Sequence, residues 1–410
     1  MSDLINLLAD ASSEIAQLRL KRPEAAENAQ VSFRALLEPA EPGDLPQSWR
    51  YAVAAFVAGI SGSARGYEFY RELLAEEDDL GQDPEELARG VDAAVEKGAS
   101  TGPYTSGGFV TFGDADLPGV PAQLAAALDF AHLLTFHPKD ASPAAIGHLQ
   151  EEGFSDDAIV SLAQLISFLA FQLRVVHGVA TVVGQSALTD GAAQASRVPG
   201  VADPGWVPGP RTLLPEVVAP ERFVAHSLGW KPWLEALPKD EFTDRHRDAL
   251  IQPQRIDSEY FRLLARDPDA LKARTLTDLD IFYNIDGGLG RAERELAATV
   301  VSRFNGCEFC ASVHQARSKE EGGDAAAIDR LLDEGIGADL GSPVWSAIRD
   351  ASVALTATPA EFSAAHVNQL REAGLDDLAV LDVINSASFF NWANRLMLTL
   401  GAPDVPKRFR

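Results

Sequence analysis

The sequence predicts an all-α protein made of two tandem helical-bundle repeats related by a pseudo-two-fold. Three observations lead there. Alanine and leucine are abundant while aromatics make up only 8% of the 410 residues, a composition that favours helices. Apolar residues recur at helical spacing almost throughout, and no alternating strand pattern runs beyond a few positions. Finally, the chain repeats itself. "DFAHLLTFHP" from Asp129 and "DASVALTATP" from Asp350 share Asp, Leu-Thr and Pro at identical offsets. At the same shift of 221 residues, 149–174 lies over 370–395, and Leu149, Glu151, Gly153, Asp156, Ala158, Ser167, Phe168 and Arg174 all meet identical residues. Upstream the shift is 244, which sets Gly62 on Gly306.

Taken in order, the chain opens with "MSDLINLLADASSEIAQLRL", an amphipathic helical start whose early acidic residues do not suit a signal peptide. The change of shift from 244 to 221 gives the first repeat 23 extra residues, and the Gly- and Thr-rich stretch 97–119 is where they fit. A loop of that length is expected to be functional or mobile. The apolar run 158–173 is interrupted by Ser and Gln and is too short for a membrane span, so it reads as a buried core helix. Residues 197–222 are dense in Pro and Gly and form the expected linker between domains 1–196 and 223–410. After it, "HSLGWKPWLEALPKDEF" (226–242) is expected to pack its two Trp against the second domain. "DGGLGRAE" (286–293) lacks the Lys-Ser/Thr of a P-loop and reads as a turn before a helix. Ser342-Pro343 and Thr358-Pro359 read as N-cap and first-turn pairs, and Gly374 as the stop of a helix closing on Arg371 and Glu372.

A formal charge of −25 argues against nucleic acid and against anionic membrane surfaces as partners. With no export signal and only two cysteines, a reducing, cytoplasmic setting is expected.

Both cysteines stand in "NGCEFCASVH" (305–314). At about 100° per residue, Cys307, Cys310 and His314 share one helix face. Asn305-Gly306 is a turn pair that would end one helix and start another. That puts both sulfurs in a first turn, where the helix dipole favours a thiolate, most strongly at Cys307. A structural zinc site needs four ligands and lacks them here. Two buried cysteines could be apolar fillers, but filler would be scattered, whereas this spacing is that of a redox dithiol. Lowering a thiol pKa by about two units gains only a few-fold in rate, because nucleophilicity falls with it. Proton delivery to a leaving oxygen is worth roughly 10²- to 10⁴-fold, so His314 serves best as a proton handler. His132, His137 and His148 show no metal-ligand spacing.

"RAERELAATVVSRFNGCEFCASVH" resembles the alkylhydroperoxidase D-like branch of the carboxymuconolactone decarboxylase superfamily. That branch carries Glu twelve residues before the first Cys of a CxxC and His four after the second, positions held here by Glu295, Cys307, Cys310 and His314. "FFNWANRLMLTLG" (389–401) is similar to the family's closing Asn-rich helix. The resemblance implies an all-helical fold, a homo-oligomer, no cofactor, and reduction of a hydroperoxide at the expense of a thiol electron donor. It also implies the roles: Cys310 becomes the sulfenic acid, Cys307 closes the disulfide, and Glu295 with His314 relays protons. Active members often carry His beside the second cysteine, where this chain has Phe309, so its relay would be aimed differently. The same fold also hosts lyases of small carboxylated rings, which need His and Arg rather than Cys, and a redox-responsive scaffold without turnover is a further alternative.

At the shift of 244, Glu295 falls on Tyr51, Cys307 on Ser63, Cys310 on Gly66 and His314 on Tyr70. The first repeat therefore has no thiol chemistry, and is expected to persist by packing against its sibling, with ligand binding aided by the long loop 97–119 as the alternative.

Overall fold

The computed structural model describes residues 3–81, 83–105, 111–113, 117–189 and 214–410. Among them are eighteen α-helices and one small ribbon, as an all-α class requires. The first half holds α1 (Leu4–Ala9), α2 (Ser13–Arg19), α3 (Pro23–Leu37), α4 (Gln47–Ile60), α5 (Ala64–Glu76), α6 (Pro84–Gly98), α7 (Ala122–Phe136), α8 (Pro143–Glu151) and α9 (Asp156–Val182). The second holds α10 (Asp244–Ala249), α11 (Glu259–Leu264), α12 (Pro268–Tyr283), α13 (Arg291–Asn305), α14 (Glu308–Glu320), α15 (Ala325–Glu334), α16 (Pro343–Thr356), α17 (Ala364–Glu372) and α18 (Asp377–Thr399). Residues 197–213 of the expected linker, and 106–110 and 114–116 of the expected insert, lie outside the described residues.

Helix boundaries recur at the offsets seen in the sequence. Helices α5 and α14 start and end 244 residues apart, and α8 and α17 do so at 221. The recurrence reaches further back than the sequence comparison did, since α3 and α12 start 245 apart. Helix α3 packs along α12, and α9 along α18. The last two are buried almost end to end and form the centre of the core. Helix α9 is long and apolar enough to cross a membrane, yet 94% of its most apolar window is buried within the protein.

Contacts between the halves are reciprocal. Arg174 on α9 donates to the carbonyls of Leu355 (2.7 Å) and Thr356 (2.9 Å) at the end of α16. Arg395 on α18 donates to the carbonyl of Thr135 (3.1 Å) at the end of α7. Each arginine thus serves carbonyls that the opposite half's helix leaves open. Burial depresses both guanidinium groups, Arg174 to about 9.

Near the start of α3, Arg22 forms a two-pronged pair with Asp382 on α18, Nε to Oδ1 at 2.9 Å and Nη2 to Oδ2 at 2.8 Å. Arg294 on α13 approaches the same carboxylate at 3.3 Å, and the Leu289 amide donates to it at 2.9 Å. The Gly-rich turn before α13 wraps this cluster. A Cβ on Gly288, whose φ is +73°, would lie 2.2 Å from Asp382 Oδ2, so glycine is obligatory there. At the matching offsets Ser161 Oγ donates to Asp267 Oδ2 at 2.7 Å, a tie in which a hydroxyl replaces the arginine–carboxylate pair.

Two local expectations need correction. Thr358-Pro359 does not start a helix: Thr358 exchanges backbone hydrogen bonds with Gly102, at 2.7 and 2.8 Å, and α17 starts later, capped by a reciprocal Ser363–His366 pair. The backbone pairing with the insert holds Thr358 out of helical geometry. The ribbon, β1 (Gly229–Pro232) against β2 (Gly401–Asp404), is antiparallel and too short to leave a sequence pattern. Trp230 packs inward from it and donates to the Met397 carbonyl at 2.9 Å, in line with the packing expectation.

Replacing Asp382 with Ala leaves Arg22 and Arg294 buried without a counter-charge, and is expected to cost about 3–5 kcal/mol in urea unfolding. A loss below about 1 kcal/mol would mean that the cluster is not a structural tie.

Candidate functional site

Gly306 ends α13 in the left-handed conformation (φ +77°), and the Cys307 amide reaches back to the Ser302 carbonyl at 2.8 Å. Cys307 then caps α14, its sulfur accepting from the Cys310 amide at 3.4 Å. The two sulfurs lie 2.6 Å apart, and both side chains are buried. The turn rests on an amide floor. Asn305 Nδ2 donates to Asn391 (3.3 Å) and Asn394 (3.1 Å), and Asn394 donates to Ser302 Oγ at 3.1 Å.

Glu295 projects from α13 toward α14, where its Oε2 meets Nδ1 of His314 at 2.6 Å. Its Oε1 takes Nε and Nη2 of Arg291, each at 3.3 Å. With Nδ1 engaged, Nε2 is the His314 nitrogen left to handle protons. The ring stands edge-on to Phe390, centroids 4.2 Å apart. All four sequence-predicted residues therefore share one region, in the pairs Cys307–Cys310 and Glu295–His314.

The expected dipole effect on Cys307 is overridden. Burial pushes this thiol well above its ordinary value, and its proton is shared toward the Cys310 sulfur. Neighbouring Glu308 adds to the effect. Glu308 is itself buried and paired with Lys139, contributed by the first half after α7.

Three residues were not foreseen. Tyr260 on α11 has a buried hydroxyl that is pushed up to about 12, chiefly by burial, with both cysteines adding to the rise and Arg274 opposing it. Arg274 on α12 lies over the rings of Tyr260 (5.9 Å) and Phe389 (5.0 Å). Asp278, one turn on, has its carboxyl pushed up by burial, against the pull of Arg274 and His314. The only trace in the sequence was an arginine on the helix face that also carries Leu271 and Thr275, both buried.

In the first half the equivalent positions are filled. Gly62 repeats the left-handed turn (φ +72°) ahead of Ser63. A Cβ on Gly66 would lie 2.7 Å from Leu173 Cδ2 and 2.8 Å from Ser63 Oγ, so no thiol fits. Tyr70 is fully buried, donates to Gln172 and stacks on Phe33 at 6.4 Å. Tyr51 is likewise buried in the core and accepts from Gln47 Nε2 at 3.1 Å. Among the other histidines, His132 lies near the Gly98 carbonyl (3.2 Å), His137 stacks on Tyr104 (4.7 Å), and His148 approaches Asp129 at 3.8 Å.

Fold and site together define an all-helical protein with a buried Cys-x-x-Cys dithiol beside a Glu–His pair. Residues 268–352, from the start of α12 into α16 and including all four candidate residues, match the carboxymuconolactone decarboxylase family. No curated protein matches the chain.

Because Cys307 holds its proton, a small alkylating agent at neutral pH is expected to modify Cys310 at least about tenfold faster than Cys307, read by peptide mass spectrometry. Preferential labelling of Cys307 would reverse the assignment of the two sulfurs.

Proposed function

We propose that the second half is a thiol-dependent peroxidase. The observation that carries this reading is a pair of sulfurs within bonding reach of one another, next to a carboxylate–imidazole pair. The Cys310 thiolate attacks the outer oxygen of a hydroperoxide, the O–O bond breaks, and the departing alkoxide takes a proton to leave as an alcohol. His314, held through Nδ1 by Glu295, supplies that proton from Nε2, directly or through water. The Cys307 sulfur then attacks the sulfenic sulfur, its own proton leaves with the hydroxyl as water, and a Cys307–Cys310 disulfide forms. An external dithiol restores the pair by exchange. The raised Cys307 thiol suits the resolving role, which supports this order. Phe309 puts no proton donor between the cysteines, which leaves the relay to Glu295 and His314.

We further propose that the two halves are related copies, the first retained for packing. The recurring helix boundaries, the exchanged Arg174 and Arg395 contacts and the aromatic filling of the first site support this.

Reduced protein is expected to consume cumene hydroperoxide in a thiol-dependent reaction, with Cys310→Ser slowing it by at least about 10³-fold and His314→Gln by roughly 10²-fold. Equal rates for wild type and Cys310→Ser would eliminate the reading. Turnover that survives loss of both cysteines would point to the lyase class.

A further inference from the structure

Arg274 is only 5% exposed, yet it makes no hydrogen bond and no ion pair with any described residue. Its Nε is enclosed without a partner, and its contacts are the faces of Tyr260 and Phe389. A buried guanidinium normally meets a carboxylate or several carbonyls, because the cost of taking it from water is otherwise uncompensated. The protein supplies such partners to its other buried arginines: Arg22 has Asp382, Arg50 has three carbonyls, and Arg174 and Arg395 have helix ends. Arg274 is the exception, and the Tyr260 ring beneath it lies near the dithiol. Tyr260 adds a second orphan, a hydroxyl that is buried, unpartnered and close enough to both cysteines to feel their charge.

These two groups offer what a carboxylate needs: a planar fork of N–H donors and an O–H donor, walled by aromatic faces. The charged groups facing Arg274 are Asp278 on its own helix and Arg255 from the segment before α11. Asp278 balances the cation only in part, with Arg255 opposing it. At the matching offset in the first half stands Ala29, and Phe33 takes the place of Asp278. The first half therefore has no cation at the position that matches Arg274.

We propose that Arg274 and Tyr260 form a carboxylate-recognition subsite, so that the substrate is a hydroperoxide bearing an acidic group, its peroxide directed at Cys310. This rests on the peroxidase reading for the chemistry but not for the binding. Arg274 is a specificity residue here, and substituting it orphans no hydrogen-bonding partner.

The test compares wild type with Arg274→Met and Tyr260→Phe on a fatty-acid hydroperoxide and on neutral cumene hydroperoxide, alongside calorimetric binding of octanoate to the reduced proteins. Arg274→Met is expected to raise KM for the acidic substrate at least about tenfold more than KM for cumene hydroperoxide, keep the ratio of the two kcat values within about twofold of wild type, and abolish octanoate binding. Tyr260→Phe should show the same pattern at smaller size, and thermal melts establish that both variants fold. If octanoate binds wild type and Arg274→Met equally, or KM rises alike for both substrates, the subsite is overturned. If neither hydroperoxide is consumed while octanoate binding still depends on Arg274, the peroxidase reading fails and the subsite stands.

Discussion

The structure depends on the pairing of α9 with α18 and on the two buried arginines that lock it. At the ends of α7 and α16 the carbonyls of Thr135, Leu355 and Thr356 take their donors from the other half, where Arg395 and Arg174 reach across to them. Such exchanged contacts are the mark of a self-complementary interface, met here within one chain. Each arginine is desolvated and has carbonyl and hydroxyl oxygens rather than a carboxylate for company, so either half alone would leave open carbonyls and a stranded cation.

That lock continues into the thiol site. Arg395 donates to the Thr135 carbonyl from one nitrogen and to Asn391 Oδ1 from another, at 2.9 Å. Asn391 in turn receives Asn305, the residue before the left-handed Gly306 that aims Cys307. A hydrogen-bonded path thus runs from the end of α7, in the half without cysteines, to the turn that positions the dithiol. The Lys139–Glu308 pair ties the first turn of α14 to the same region. The half without cysteines thus supplies part of the floor and flank of the dithiol turn. Within that site burial outweighs the helix dipole and raises the Cys307 thiol.

Much of this was legible in the sequence because it rests on local rules. Asn305-Gly306 marked a helix end, 100° periodicity put Cys307, Cys310 and His314 on one face, and two offsets located matching helices. The correspondence of α3 with α12 escaped because the matched positions differ in kind, Arg22 against Asp267 and Ser161 against Asp382, and only the helix boundaries recur. Thr358-Pro359 misled because a backbone pairing with Gly102, 256 positions earlier, decides its conformation. Tyr260, Arg274 and Asp278 have no motif spacing. Tyr260 and Arg274 stand out by burial without hydrogen-bond partners, which only the packed structure reveals.

The most direct measurement is a redox equilibration of the whole protein in a graded series of oxidised and reduced dithiothreitol, with free thiols counted after acid quench. The account predicts a single two-electron transition in which both thiols disappear together, and none in Cys307→Ser. Two thiols that stay titratable across the whole series, or that vanish one at a time into mixed disulfides, would contradict it.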